Sequence, residues 1–293
     1  MVQIPIISTD GKQSVTVTVE SVTQTEYDSI RQYLTSQLHS NRNFEAIAAT
    51  FIYAINLCPK ANPSDIWQHI IYRSYLNAGA NEQSWKRASG QAFEYAFVEL
   101  YNIHLVTHSL KLAVLTPRTR SIALAEMGLS NQVGQAKLDI SIIGNCGTGG
   151  KAPQWKLIGG VHGKVSIAER ITDDEPASRA MMAKGYFSPV VTLDSKSFPP
   201  PHGDGLNKGE LGLPRPGRRA DKRDYFEVHG SFSGCYSYNL RTPPSPPVTQ
   251  SGYKIKVLSF TEPQPDYFVS DLIQMWNNTK ATRCMQPNTG IVQ

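Results

Sequence analysis

Residues 135–182 read QAKLDISIIGNCGTGGKAPQWKLIGGVHGKVSIAERITDDEPASRAMM: a strand, a loop, a second strand and a helix. In residues 137–143, Leu138, Ile140 and Ile142 alternate with Asp139 and Ser141, the period of an extended chain. Residues 155–167 alternate too, with Val161 and Val165 pointing one way and His162 and Lys164 the other. Two neighbouring strands of this kind set Asp139 and Lys164, 25 residues apart in sequence, side by side on their polar faces. A carboxylate beside an ammonium on a sheet suits metal-dependent phosphodiester cleavage. The carboxylate holds a hard divalent cation, and the lysine positions or deprotonates water and offsets developing phosphate charge.

At Asp139, Lys164 and the following SIAER the sequence resembles the PD-(D/E)xK nucleases. More narrowly, it resembles type II restriction endonucleases that cut CCGG- or CCNGG-type sites. The resemblance covers about 50 residues closely, on the order of a supersecondary unit. It implies that Glu169 and Arg170, five and six residues after the lysine, read bases. It departs from the pattern at His162, where an acid is usual, and at Lys137-Leu138, which precede the aspartate in place of proline. In the CCGG group the missing carboxylate comes from the helix after the lysine, where this chain carries Asp173, Asp174 and Glu175.

Helical spacing separates those acids. Ile167, Ile171, Asp174, Ser178 and Met181 fall on one stripe, so a continuous helix turns Asp174 toward the sheet and Asp173 elsewhere. Pro176 leaves a second reading open, in which the helix restarts there with Asp174 as its cap. The expected metal ligands are therefore Asp139 and Asp174 for Mg2+, with Lys164 as the third catalytic group. The resemblance also implies an acid from an N-terminal helix. Glu94, in GQAFEYAF, is the candidate, weighed against a solvated helix face. Asp194-Ser195-Lys196 is a literal D-x-K and a rival active-site pair.

Arg offers a fork of donors to guanine O6 and N7, and Glu accepts from the cytosine amino group. Glu169 and Arg170 at a helix start thus suit a GC-containing, palindromic site, with Ser166 beside them. Residues 199–216 hold too much proline and glycine for regular structure and lead into a basic run with Arg215, Arg218, Arg219, Lys222 and Arg223. Arg218, Arg219 and Lys222 are candidates to follow phosphates, against the alternative of a solvated charge run. The glycine-rich loop GNCGTGGKA is no phosphate loop: Asn145 stands where the first glycine belongs and Ala152 where a magnesium-holding hydroxyl belongs.

Elsewhere residues 3–20 read as a hairpin with a turn at Thr9-Asp10-Gly11. Helices follow from Thr25, over 44–57, from an N-cap at Ser64, and over 81–105. Residues 186–198, 226–238 and 253–260 read as strands, TPPSPP at 242–247 as a stiff connector, 268–276 as a short helix and the last dozen residues as a tail. The 293 residues read as a single nuclease domain, 1–105 mainly helical and 106–293 carrying catalysis and recognition. The fold expected is a mixed α/β one, a restriction-endonuclease-like central sheet flanked by helices.

A net charge of +5 and a pI near 8.9 suit an anionic partner such as double-stranded DNA. The 4 cysteines form no CxxC pair, which speaks against a zinc site or disulfide framework and for a reducing compartment. No apolar run approaches a membrane helix, and the N-terminus lacks a signal peptide's pattern, so a cytoplasmic, prokaryotic protein is expected. The resemblance further implies a homodimer or dimer of dimers and a cognate DNA methyltransferase in the same system, without direct contact. A repair nuclease on the same core, or a DNA-binding protein with a decayed site, are the alternatives.

Overall fold

The computed structural model describes residues 1–7, 11–130, 132–133, 138–147, 153–167, 170–212 and 221–285, with Arg170 and Asp221 by backbone alone. Strands β1 (Val2–Ile7) and β2 (Ser14–Val19) pair antiparallel as the expected hairpin. Two of its three expected turn residues, 9 and 10, lie outside the described residues. Helix α1 (Gln24–Ser40) starts at a Thr23/Glu26 capping box, and α2 (Asn43–Leu57) follows it. The next helix is composite: α3 (Pro63–Asp65), a π-helical stretch Ile66–Ile71, then α4 (Tyr72–Asn77). Its cap is Asn62, not Ser64; Asn62 accepts from the Ser64 N–H, and Pro63 follows it at the position where a missing N–H costs nothing. Helix α5 (Glu82–Leu105) is capped by Asn81 as expected.

Residues 106–129, which show no clear period, contain β3 (Leu110–Val114) and α6 (Pro117–Glu126). Then come β4 (Ile140–Asn145), β5 (Trp155–Lys164) and α7 (Arg170–Ala183). The remaining strands are much shorter than their alternation suggested: β6 (Val190–Thr192), β7 (Cys235–Ser237) and β8 (Ile255–Val257). Phe226, expected in a strand, lies in helix α8 (Asp221–Glu227). The final helix α9 (Tyr267–Cys284) is twice the expected length and takes in the first residues of the expected tail; residues 286–293 lie outside the described ones.

Among the described residues the large sheet runs β3-β4-β5-β6-β7-β8. Its first three strands are antiparallel, and β5 through β8 are parallel. Helices cover both faces. Ile140, Ile142, Ile158 and Val161 join Phe93 and Phe97 of α5 in one core, while Ile143 and Leu157 join Leu124 of α6 and Met181 of α7 in another. Leu138 belongs to the second core and so does not share a face with Ile140 and Ile142 as its spacing implied. A sheet sandwiched in this way has no wet face, so β4 is buried along almost its whole length.

His69, in the π-helical stretch, is fully buried and burial pushes its pKa down to about 3. A base with a depressed folded pKa stabilises the fold above its unfolded value, near 6.5, and that contribution is lost as pH falls toward 3. At pH 5 the loss is about 2 kcal/mol, at about 1.4 kcal/mol per pH unit. Urea unfolding at pH 7 and pH 5 should show it in the wild type and not in His69→Phe.

Candidate active site

Asp139 sits at the entrance to β4 and Lys164 at the end of β5, brought to the same end of the strand pair by the antiparallel register that pairs Ile140 with Val161. The Lys164 ammonium donates to Asp139 Oδ2 at 2.9 Å and lies 2.8 Å from Asp174 Oδ2. The side chains of Lys164, Asp139 and Asp174 are only 10%, 13% and 6% exposed. Two carboxylates from separate elements therefore converge on one cation in a largely dry place.

The stripe on α7 is as expected: Ile167, Ile171, Asp174, Ser178 and Met181 are all buried. The helix runs unbroken through Pro176, so Asp174 is an interior residue and not a cap. Of its neighbours, Asp173 faces outward, and Glu175 accepts from Arg179 Nε at 2.9 Å and from Ser231 Oγ at 2.7 Å. His162 Nδ1 lies 3.3 Å from Asp174 Oδ2. Burial works against the charge on both Asp174 and Lys164, and their neighbours prevail. The His162 ring and the Lys164 ammonium hold the Asp174 carboxyl below its usual range, and Asp139 and Asp174 hold the Lys164 amine above its own.

Glu94 comes to the same strand from the other face. A Cβ on Gly163 would stand 3.3 Å from Glu94 Cγ, so the glycine leaves the room that the Glu94 stem occupies. Alternation along β5 turns Gly163 toward α5 and turns His162 and Lys164 toward α7. Glu94 is half-buried, the stem of its side chain lying over the sheet beside Gly163.

The rival pair is built for another purpose. Asp194, at φ 44°, accepts from the N–H groups of Glu210 (2.7 Å) and Leu211 (3.1 Å) and from Thr242 Oγ1 (3.1 Å). Burial nonetheless pushes its pKa up to about 6. The Lys196 ammonium lies over the Phe198 ring, 5.3 Å from its centre. Asp194 thus pins the 194–211 loop.

Ser166 donates to Glu210 Oε2 at 2.9 Å, just past the lysine. Arg170 opens α7, and Lys222 is partly exposed on α8. Glu169, Arg218 and Arg219 lie outside the described residues, as do residues 148–152 of the glycine-rich loop. Arg223, part of the basic run, is buried: it donates to the carbonyls of Leu211 and Pro243 (both 2.8 Å) and pairs with Glu227. It braces the fold and cannot follow a phosphate. Sequence reasoning also missed Ser188, which is hydrogen-bonded to His162, and the use of Ser178 behind it; the only signal was that His162 shares a strand face with Lys164.

Among the described residues no three His, Cys, Asp or Glu side chains already form a metal-holding group. Mg2+ does not require one, because it keeps several waters and takes one or two carboxylates plus substrate phosphate oxygens. Asp139 and Asp174 meet that demand.

A mixed sheet with an acid-lysine pair on adjacent strands, flanked by helices, defines the restriction-endonuclease-like fold class. No protein-family profile matches the chain. A type II restriction enzyme, AgeI of Thalassovita gelatinovora, is 44% identical over 265 residues, which span 88% of this chain and 94% of that protein. A crystal structure of restriction endonuclease AgeI in complex with DNA superposes with a TM-score of 0.86 at 42% identity, covering 94% of this chain and 99% of that one. A DNA complex of restriction endonuclease BsaWI matches at 19% identity and a TM-score of 0.47, over 89% and 93% of the two chains. This chain belongs to the type II restriction endonucleases, site-specific deoxyribonucleases that cut DNA within or beside a recognised sequence.

Proposed function

We propose that this protein cuts unmodified duplex DNA with Mg2+ at a GC-containing palindromic site, through Asp139, Asp174 and Lys164. The convergence of both carboxylates on the Lys164 ammonium carries this reading. Asp139 and Asp174 would hold the ion. The chemistry that Mg2+ supplies when bound is orientation of water and stabilisation of the leaving oxygen. Lys164 then turns its donors to the attacking water or a phosphate oxygen, and Glu94 adds negative charge from the far side of β5.

Glu169 and Arg170 read neighbouring C and G bases, with Ser166 at the same junction, while Arg218, Arg219 and Lys222 meet the backbone. A two-fold symmetric site calls for a homodimer or a pair of dimers. A cell that holds such an enzyme needs its own sites modified, so a cognate methyltransferase belongs to the same system. The AgeI structure solved on DNA supports duplex binding here.

Digestion of plasmid DNA with Mg2+ and with EDTA tests the proposal: fragments of fixed length should appear with Mg2+ alone, and a smear or uncut plasmid would refute it. Once the site is mapped, Arg170→Ala should lose about 1–3 kcal/mol of discrimination per contact and keep weak, salt-sensitive binding to any duplex. Gel shifts with cognate and scrambled duplexes measure it; an unchanged ratio would remove Arg170 from the readout.

A further inference from the structure

His162 is fully buried on the face of β5 that carries Lys164. Both ring nitrogens are addressed. Nδ1 faces Asp174 Oδ2 at 3.3 Å, and Nε2 is hydrogen-bonded to Ser188 Oγ at 3.0 Å. Ser188 Oγ is hydrogen-bonded in turn to Ser178 Oγ at 2.8 Å, and Ser178 stands one turn after Asp174 on α7. The edge of the imidazole meets the Phe232 ring, with centroids 5.3 Å apart. The ring is thus wedged between strand and helix, with α7 reached from both of its ends.

An apolar side chain of similar size would fill this space without desolvating two nitrogens. The polar ring needs another reason, and its contacts supply one. An ionised carboxylate only accepts, so Nδ1 serves Asp174 as an N–H donor, while Nε2 meets the Ser188 hydroxyl at the other end of the ring. The Ser188 hydroxyl, donating to Ser178, holds the ring at its Nε2 end.

We propose that His162 is the positioning residue that sets the Asp174 carboxylate and selects which of its oxygens faces Lys164 and the bound cation. This rests on the metal reading of the site given above. His162 acts through Asp174, much as a buried partner orients a ligand in other metal sites, where its loss weakens metal binding about 10–100-fold. The second carboxylate thus comes from α7, and the β5 position two before the lysine carries the ring that holds it in place.

The test uses the full chain and Mn2+ alone as probe, with free Mn2+ read by electron paramagnetic resonance and thermal unfolding followed in parallel. Glutamine carries its amide at the Nε2 position and asparagine at the Nδ1 position. His162→Gln keeps the Ser188 contact but not the Asp174 contact, and should bind Mn2+ about 10–100-fold more weakly. His162→Asn should restore most of that loss, although it packs less well. Ser188→Ala, a smaller change, should weaken Mn2+ several-fold by freeing the ring.

Wild-type affinity in His162→Gln and Ser188→Ala would overturn the proposal. So would equal losses in the Gln and Asn variants that track their unfolding temperatures, since that is packing alone. Asp174→Ala separates the two levels. If it loses Mn2+ while His162→Gln keeps it, only the positioning role fails. If Asp174→Ala keeps Mn2+ unchanged, the metal reading fails and takes this one with it.

Discussion

Asp139→Asn should cut DNA at least on the order of a thousandfold more slowly than the wild type under single turnover, while its affinity for duplex DNA holds or rises. The substitution keeps the shape of the side chain and removes one of two carboxylates that converge on Lys164. DNA binding draws on charge spread across the surface, and loss of a negative charge at the cut site does not weaken it. Lys164→Ala should be as inactive for a different reason. It leaves two mostly buried carboxylates facing each other without their cation, at a cost on the order of 3–5 kcal/mol. Added Mg2+ should therefore raise the unfolding temperature of Lys164→Ala by more than that of the wild type. A cleavage rate within tenfold of wild type in either variant would show that the chemistry lies elsewhere.

The second large effect concerns stability. A disulfide joins Cys146, just past β4, to Cys284 at the end of α9, across 138 residues of sequence. It runs against the expectation, drawn from the scattered cysteines, that disulfides play no part in this fold; Cys58 and Cys235 are free, both buried. A cross-link over so long a loop restricts the unfolded chain strongly, worth about 4–5 kcal/mol in the chain-entropy picture. Cys284→Ser, or the wild type in strong reductant, should unfold about 10 °C lower than the oxidised protein. Calorimetry with and without reductant reads it, and Cys284→Ser itself should then be indifferent to reductant. Coincident transitions for oxidised and reduced protein would mean that the packing of α9 on the sheet carries the contact unaided.

The disulfide also shows where sequence reading stops. Pairing of Cys146 with Cys284 is made by folding α9 against the end of β4, and no local pattern encodes that approach. Short strands escaped for a related reason. Three residues such as Val190–Thr192 span too little chain to show a period, and their place in the sheet comes from neighbours on both sides. Alternation misled at Leu138, which the sandwiched sheet buries in a different core from Ile140.

By contrast, the inward placement of Asp174 was legible, because it shares a helical stripe with four residues that are all buried. Asp139 and Lys164 were legible from period-two spacing on paired strands. Asp194-Ser195-Lys196 matched the motif in letters only: its aspartate, at φ 44°, turns back to hold backbone N–H groups. His162 was visible as a departure from pattern, but its use as a wedge behind Asp174 needed coordinates.

Anomalous diffraction from crystals of the Asp174-intact protein grown with duplex DNA and Mn2+ tests the core of the account most directly. The account predicts a manganese peak within about 2.5 Å of carboxylate oxygens of both Asp139 and Asp174, close to the scissile phosphate. Manganese found only at other side chains, with those two carboxylates bound to nothing but Lys164, would contradict it.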